Sequence, residues 1–422
     1  MLLKLNIKIS YMINNERGFC MDILSIAPID LRPDASAGAE TINLYMEHMA
    51  KQGHKIRMIA RTKPAVHDKV DRYYLLNKEN NLEKSLAKLE KGIGWLLNPG
   101  QKYLYKTSKQ IRNNVFSILK KIKQDGYYPQ VVILETVSAY LWIDDVKRIF
   151  KNAKIVAVLH DIGYQGTYNR MLIENNCIKR KLRNRFYNYA KKVELMALSK
   201  IDLMFLLNVT NKNILLNDSN NLSENKMVHV SAHYIDYYKH HYNGNYDILF
   251  YGLMSRPENY MSALWFIDNV MPLLPDKFRF IVMGGKPVEA LKEKASERII
   301  ITGFVTEEEV RSRFENSFCF ACPLLFGSGI KTKLLTAFAT GMPILTNNIG
   351  IEGISAKHGN DYYHCETAAE YSNYIQQLAN DTSLYNKMEQ AALRVIDRDY
   401  NLSRSKDTYE KALLSLVNER RK

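Results

Sequence analysis

The stretch from Cys319 to Ile354, CFACPLLFGSGIKTKLLTAFATGMPILTNNIGIEGI, restricts the fold of the whole chain more than any other. Phe318 to Leu325 is a short apolar run with the composition of a strand buried on both faces. Phe326-Gly-Ser-Gly329 interrupts it with glycines, which suit tight turns and close backbone approach. From Lys331 to Thr340 the spacing becomes helical, with Leu334, Leu335 and Phe338 on one stripe. Gly341 ends that helix, Pro343 blocks its continuation, and Pro343 to Thr346 reads as a second strand. Strand, helix and strand in this order predict a parallel β-α-β unit. A glycine loop at a helix N-terminus presents unpaired N–H groups and the positive end of the helix dipole, an arrangement that suits a phosphate. Lys331 and Lys333 add two cations to that first turn, where they oppose the dipole unless an anion sits between them.

The same alternation recurs on both sides of this unit. Met21 to Pro28 reads as a strand, followed by the loop Asp34 to Ala39 with Gly38, a helix from Glu40 to Gln52, and a strand at Lys55 to Ala60. Further strands are expected at Val131 to Leu134 and Ile155 to Leu159. The second of these delivers His160-Asp161 at its carboxyl end, the edge where open α/β sheets bind ligands. In the second half come Ile248 to Tyr251, a helix from Tyr260 to Met271, then Phe278 to Met283, and Ile299 to Ile301 leading into Gly303-Phe304. The expected class is α/β, with two Rossmann-like domains. Residues 1–20 are expected to be a disordered extension, 21–235 the first domain and 246–395 the second, with a helix at 403–420 packing back on the first. The full G-x-G-x-x-G of dinucleotide binders is missing. His229, His233, His240 and His241 have no metal-ligand spacing on any one element and are expected at the surface.

Charge is divided unevenly. Residues 1–245 hold 38 Lys+Arg against 22 Asp+Glu, whereas the remainder holds 21 against 22. The basic half points to an anionic partner such as a membrane surface, a lipid pyrophosphate or an acidic polymer. Two basic helical stretches carry it: residues 76–126, with Lys102, Lys106, Lys109 and Arg112, and Ile178 to Ser199, with Lys179, Arg180, Lys181, Arg183 and Arg185. The first of these is a solvated face or a membrane-surface element. No recognised nucleic-acid motif accompanies them. No run of about 18 apolar residues is present, and the five cysteines form no disulfide framework, which fits a reducing, cytoplasmic setting, with peripheral attachment at the inner membrane face.

The residues Pro323, Gly327, Gly329, Lys331, Lys333, Ala337, Ala339, Gly341, Pro343, Thr346, Gly350, Glu352 and Gly353 resemble the donor-site signature of retaining glycosyltransferases of family 4, which have the GT-B fold. The resemblance implies two Rossmann-like domains facing each other across a cleft, and transfer of a sugar from a UDP- or GDP-sugar to a glycan or lipid-linked acceptor. It also implies retention of configuration, no metal and no cofactor. By the same resemblance Lys331 and Lys333 would hold the diphosphate, with His160 at the reacting centre. Gly327, Ser328, Gly329, Thr336, Glu352 and Gly353 would line the donor, Gly303 and Phe304 would face the base, and Gly38 would lie on the acceptor side. Two departures are visible: Thr336 and Ser328 stand where the family's acidic-x7-acidic version has carboxylates. The alternative is therefore a catalytically silent GT-B protein that binds a glycan or a partner glycosyltransferase.

Overall fold

The computed structural model describes residues 19–33, 35–77, 109–172, 174–327 and 329–418. Most of the expected N-terminal extension, residues 78–108 with Lys102 and Lys106, and Ser328 lie outside the described residues.

The first sheet begins with β1 (Asp22–Ala27), α1 (Ala37–Lys51), β2 (Lys55–Ala60) and β3 (Arg72–Leu75). It continues through α2 (Lys109–Gln124), β4 (Val131–Leu134), α3 (Val137–Tyr140), α4 (Ile143–Ile149) and β5 (Lys154–Leu159). Then come α5 (Gly163–Leu172), α6 (Cys177–Leu198), β6 (Leu203–Leu206), α7 (Thr210–Asp218) and β7 (Met227–His229). The strand order is β3-β2-β1-β4-β5-β6-β7, and the pairs β1·β2, β2·β3, β1·β4 and β4·β5 are parallel. Parallel strands covered on both faces need continuous apolar sequence, and VVIL of β4 is buried at every residue. Ser36 caps α1, its hydroxyl accepting from the Ala39 N–H, so the helix starts earlier than expected. Gly38 thus lies within the first helical turn rather than in the preceding loop.

The second sheet is built from β8 (Asp247–Tyr251), α8 (Pro257–Asn269), β9 (Arg279–Met283), α9 (Glu289–Lys292), β10 (Ile299–Gly303) and α10 (Glu307–Asn316). It is completed by β11 (Cys319–Cys322), α11 (Thr332–Thr340), β12 (Ile344–Thr346), α12 (Asn348–Ile351) and β13 (Tyr363–His364). Its order is β10-β9-β8-β11-β12-β13, parallel throughout. Three helices close the chain: α13 (Ala368–Asn380), α14 (Thr382–Val395) and α15 (Leu402–Asn418). Two parallel sheets of Rossmann-like character are what the alternating pattern demands.

The chain divides into two compact units. One comprises the described residues within 1–158, 192–204 and 409–422; the other comprises those within 159–191 and 205–408. In the first, Tyr409 of α15 stacks on Tyr45 of α1 at 4.5 Å, and Glu410 reaches His48 and His54, each at 3.2 Å. In the second, His229 and His240 depart from the surface expectation, whereas His241 is exposed as expected. The His240 side chain is buried between Glu389 (2.6 Å) and the Ser317 carbonyl (2.7 Å), and His229 packs edge-on to Tyr400. They hold the segment down rather than facing solvent.

Candidate functional site

β11 runs to Cys322, where Pro323 withdraws a backbone donor and ends the ladder. The loop then turns through Gly327 (φ +145°) and Gly329 (φ +76°), conformations that side chains rarely adopt. Lys331 occupies the N-cap of α11. Gly341, at φ +95°, closes the other end in the left-handed region.

Lys331 folds back over the loop. Its ammonium donates to the Gly329 carbonyl and pairs with Glu352 Oε2 at 3.4 Å, leaving the side chain 11% exposed. A methyl at Gly327 would touch the Lys331 Cε at 3.5 Å, so the glycine makes room for this path. Lys333 is half-buried, with its ammonium 4.5 Å from the centre of the Phe250 ring and 2.7 Å from Asn259 Oδ1. Burial lowers its pKa, and the charges of Lys331 and Arg256 push the same way. Among the described residues the Lys333 ammonium has one oxygen acceptor for three N–H donors. Lys331 thus has a carboxylate partner, whereas among the described residues Lys333 has none.

Two side chains support Lys333 from a distance in sequence. Gly252 leaves space for the Asn259 side chain, which would lie 2.7 Å from a Cβ there, and Asn259 Nδ2 is anchored on the Leu253 carbonyl at 2.9 Å. Neither Asn259 nor Phe250 could be found from the glycine-loop spacing, because strand order brings them in from β8 and α8. Asp161 was within reach: it follows His160 at the carboxyl end of β5. Its carboxylate lies so close to Gly329 that a Cβ there would fall 1.9 Å from Oδ1. Asp161 keeps access to solvent, yet atoms crowd its carboxyl and push its pKa up to about 6; Lys331 opposes this shift and Glu352 adds to it. His160, half-buried, is placed beside Asp161 by chain continuity.

The remaining expected residues are dispersed. Gly353 (φ +81°) sits against Asn208, where a Cβ would meet the amide at 2.5 Å. Gly303 (φ +71°) ends β10, and Phe304 beyond it is 91% exposed, its ring within 3.6 Å of a Cβ built at Gly285. Thr336 is buried in α11, where its hydroxyl accepts from the Ile235 N–H at 3.2 Å. That hydroxyl is committed to holding the segment before β8. Gly38, in the other unit, is half-exposed at the start of α1.

Residues 245–381 match the family described as "Glycosyl transferases group 1". An "Uncharacterized 44.6 kDa protein in cps region" from Klebsiella pneumoniae is 21% identical over 387 residues, 87% of this chain and 94% of that one. HepE from Anabaena, solved with UDP, superposes with a TM-score of 0.66 at 12% identity, over 94% of this chain and 100% of that chain. Sucrose-phosphate synthase from Thermosynechococcus elongatus gives 0.67 at 11% identity, again over 94% and 100%. HepE was also solved with UDP-glucose. The chain has the GT-B fold, and its residues 245–381 match the model of group 1 glycosyl transferases.

Proposed function

We propose that the protein moves a sugar from a nucleotide-diphosphate sugar to a glycan or lipid-linked acceptor in cell-surface polysaccharide synthesis. The observation that carries this reading is the pair Lys331 and Lys333 at the N-terminus of α11, Lys333 being without a carboxylate partner among the described residues. The UDP and UDP-glucose bound to HepE support a donor of that class, and the cps-region relative supports the polysaccharide role.

In this reading the diphosphate lies against the helix N-terminus, with the exposed Phe304 ring as a stacking platform for the base. The bond between the anomeric carbon and the phosphate oxygen breaks, and its electron pair stays on that oxygen. The acceptor hydroxyl oxygen forms the new bond, and its proton leaves with the diphosphate. Charge accumulates on the phosphates as the bond breaks, so cations and N–H dipoles fixed there lower the barrier. One such donor is worth on the order of 3 kcal/mol. Lys331 and Lys333 supply this neutralisation without a metal. Glu352 and His160 are assigned to the sugar hydroxyls, and configuration is retained.

Release of UDP from UDP-sugars, or GDP from GDP-sugars, tests the reading. Turnover of one donor class is expected, with a loss of about a hundredfold in Lys331→Ala. No turnover with any UDP- or GDP-sugar, or full activity in Lys331→Ala, would refute it.

A further inference from the structure

The N-terminal part of α6 stands apart from the core that holds the rest of the second unit. At its base, Tyr168 and Tyr187 pack at 5.1 Å, the Tyr164 hydroxyl donates to Asp218 Oδ2 at 2.7 Å, and Lys191 pairs with Asp218 Oδ1. Toward the tip, Asn176 Oδ1 accepts from the N–H groups of Ile178 and Lys179 and caps the helix. Arg183 ties α6 to the end of α5 through the Arg170 carbonyl (2.8 Å) and Glu174 (2.9 Å). The hairpin is thus held in a defined geometry.

What that geometry displays is unusual for a solvated helix. Residues 175–185 are nearly all exposed, and within them Ile178 is 70% and Leu182 41% exposed. They are four residues apart and share one face. Leu172, at the end of α5, adds a third aliphatic side chain at 50%. Around them stand Arg170, Lys179, Arg180, Lys181, Arg183 and Arg185, against a single acid, Glu174, already paired with Arg183. Among the described residues Lys179, Arg180, Lys181 and Arg185 make no ion pair. Between the helices lies an open cleft of about 430 Å³, lined by Met171, Asn175, Cys177, Arg180, Lys181 and Asn184.

We propose that the tip of the α5–α6 hairpin docks on a bilayer containing anionic phospholipid, with Ile178, Leu182 and Leu172 entering the interface, a lipid phosphate in the cleft beside Arg180 and Lys181, and the outer cations on neighbouring headgroups. Cations alone would fit any polyanion. Bare aliphatic side chains among them have no role on a nucleic acid or an acidic glycan, whereas an amphipathic helix at a membrane surface needs both. Long cationic side chains bury their methylenes and keep their charge at the headgroups. This inference stands independently of any catalysis at the glycine loop.

Sedimentation of the full chain with phosphatidylglycerol–phosphatidylcholine vesicles, compared with pure phosphatidylcholine vesicles, tests it. The wild type is expected to pellet only with the anionic vesicles. The triple variant Lys179→Glu, Arg180→Glu and Lys181→Glu should bind at least about tenfold more weakly. The double variant Ile178→Ser and Leu182→Ser should lose a similar factor, and its remaining binding should be released by about 0.5 M salt. All these sites are exposed, so circular dichroism and melting temperature should match the wild type. Failure of the wild type to pellet, wild-type binding by both variants, or tight binding of heparin or duplex DNA undiminished in the Ile178→Ser and Leu182→Ser variant without vesicle binding would overturn the proposal.

Discussion

Asp161 is the residue at which chemistry and stability meet. Its carboxylate lies against Gly329 and near Lys331 and Glu352, with a pKa of about 6 against an ordinary 3.8. A raised carboxyl pKa means that the folded state holds a proton the unfolded chain has lost. Stability therefore declines as pH rises from about 4 to about 6 and stays reduced above. Asp161→Asn should melt at a higher temperature than the wild type at pH 7.5, and the difference should vanish near pH 4. At this solvent-accessible site the gain is below about 1 kcal/mol. The same substitution removes a negative charge beside the proposed diphosphate, so UDP or GDP affinity at pH 7.5 should rise; thermal melts and calorimetry check both. Gly329→Ala has the opposite effect. With φ at +76° and Asp161 in the way, it should cost about 1–3 kcal/mol in chemical denaturation and weaken nucleotide binding.

At the scale of elements, α15 and β4 make the sharpest demands. Tyr409 and Tyr45 are stacked and fully buried, so Tyr409→Ala should destabilise the protein by about 3–5 kcal/mol in urea titration. Glu135, just beyond β4, is buried with the Ser25 hydroxyl donating to it at 2.9 Å, and burial pushes its pKa up to about 8. As for Asp161, a raised carboxyl pKa lowers stability as pH climbs, here from about 4.5 to 8. The loss should be on the order of 3 kcal/mol, and Glu135→Gln should flatten that slope in denaturation curves at pH 5 and pH 8.5. These pairings also show where the sequence ceased to inform. The strand β4 was legible because a doubly covered parallel strand needs an unbroken apolar run. The α1 start was missed because a serine cap outweighed the glycine that follows it. Lys331 and Lys333 stood out as cations on a glycine loop. Asn259 and Phe250 did not, because only the order β8-β11 brings them beside α11.

Over the whole molecule, the charge asymmetry and the glycine loop point to different partners. The cations before residue 245 have no counterpart in the acidic balance that follows, and they include the exposed tip of α6. The nucleotide reading depends on a much smaller set: two lysines, two positive-φ glycines and one helix N-terminus. No helix among the described residues is long and apolar enough to cross a membrane. A ligand that binds only the folded state at a hundred times its Kd adds about 2.7 kcal/mol of stability, enough for a melt to register. The most direct measurement is isothermal titration of UDP and GDP into the full chain and into Lys331→Ala. The account predicts one saturable site for at least one of the two diphosphates, weakened by at least about tenfold in the variant. Absence of binding by both nucleotides, or equal affinity in Lys331→Ala, would contradict it.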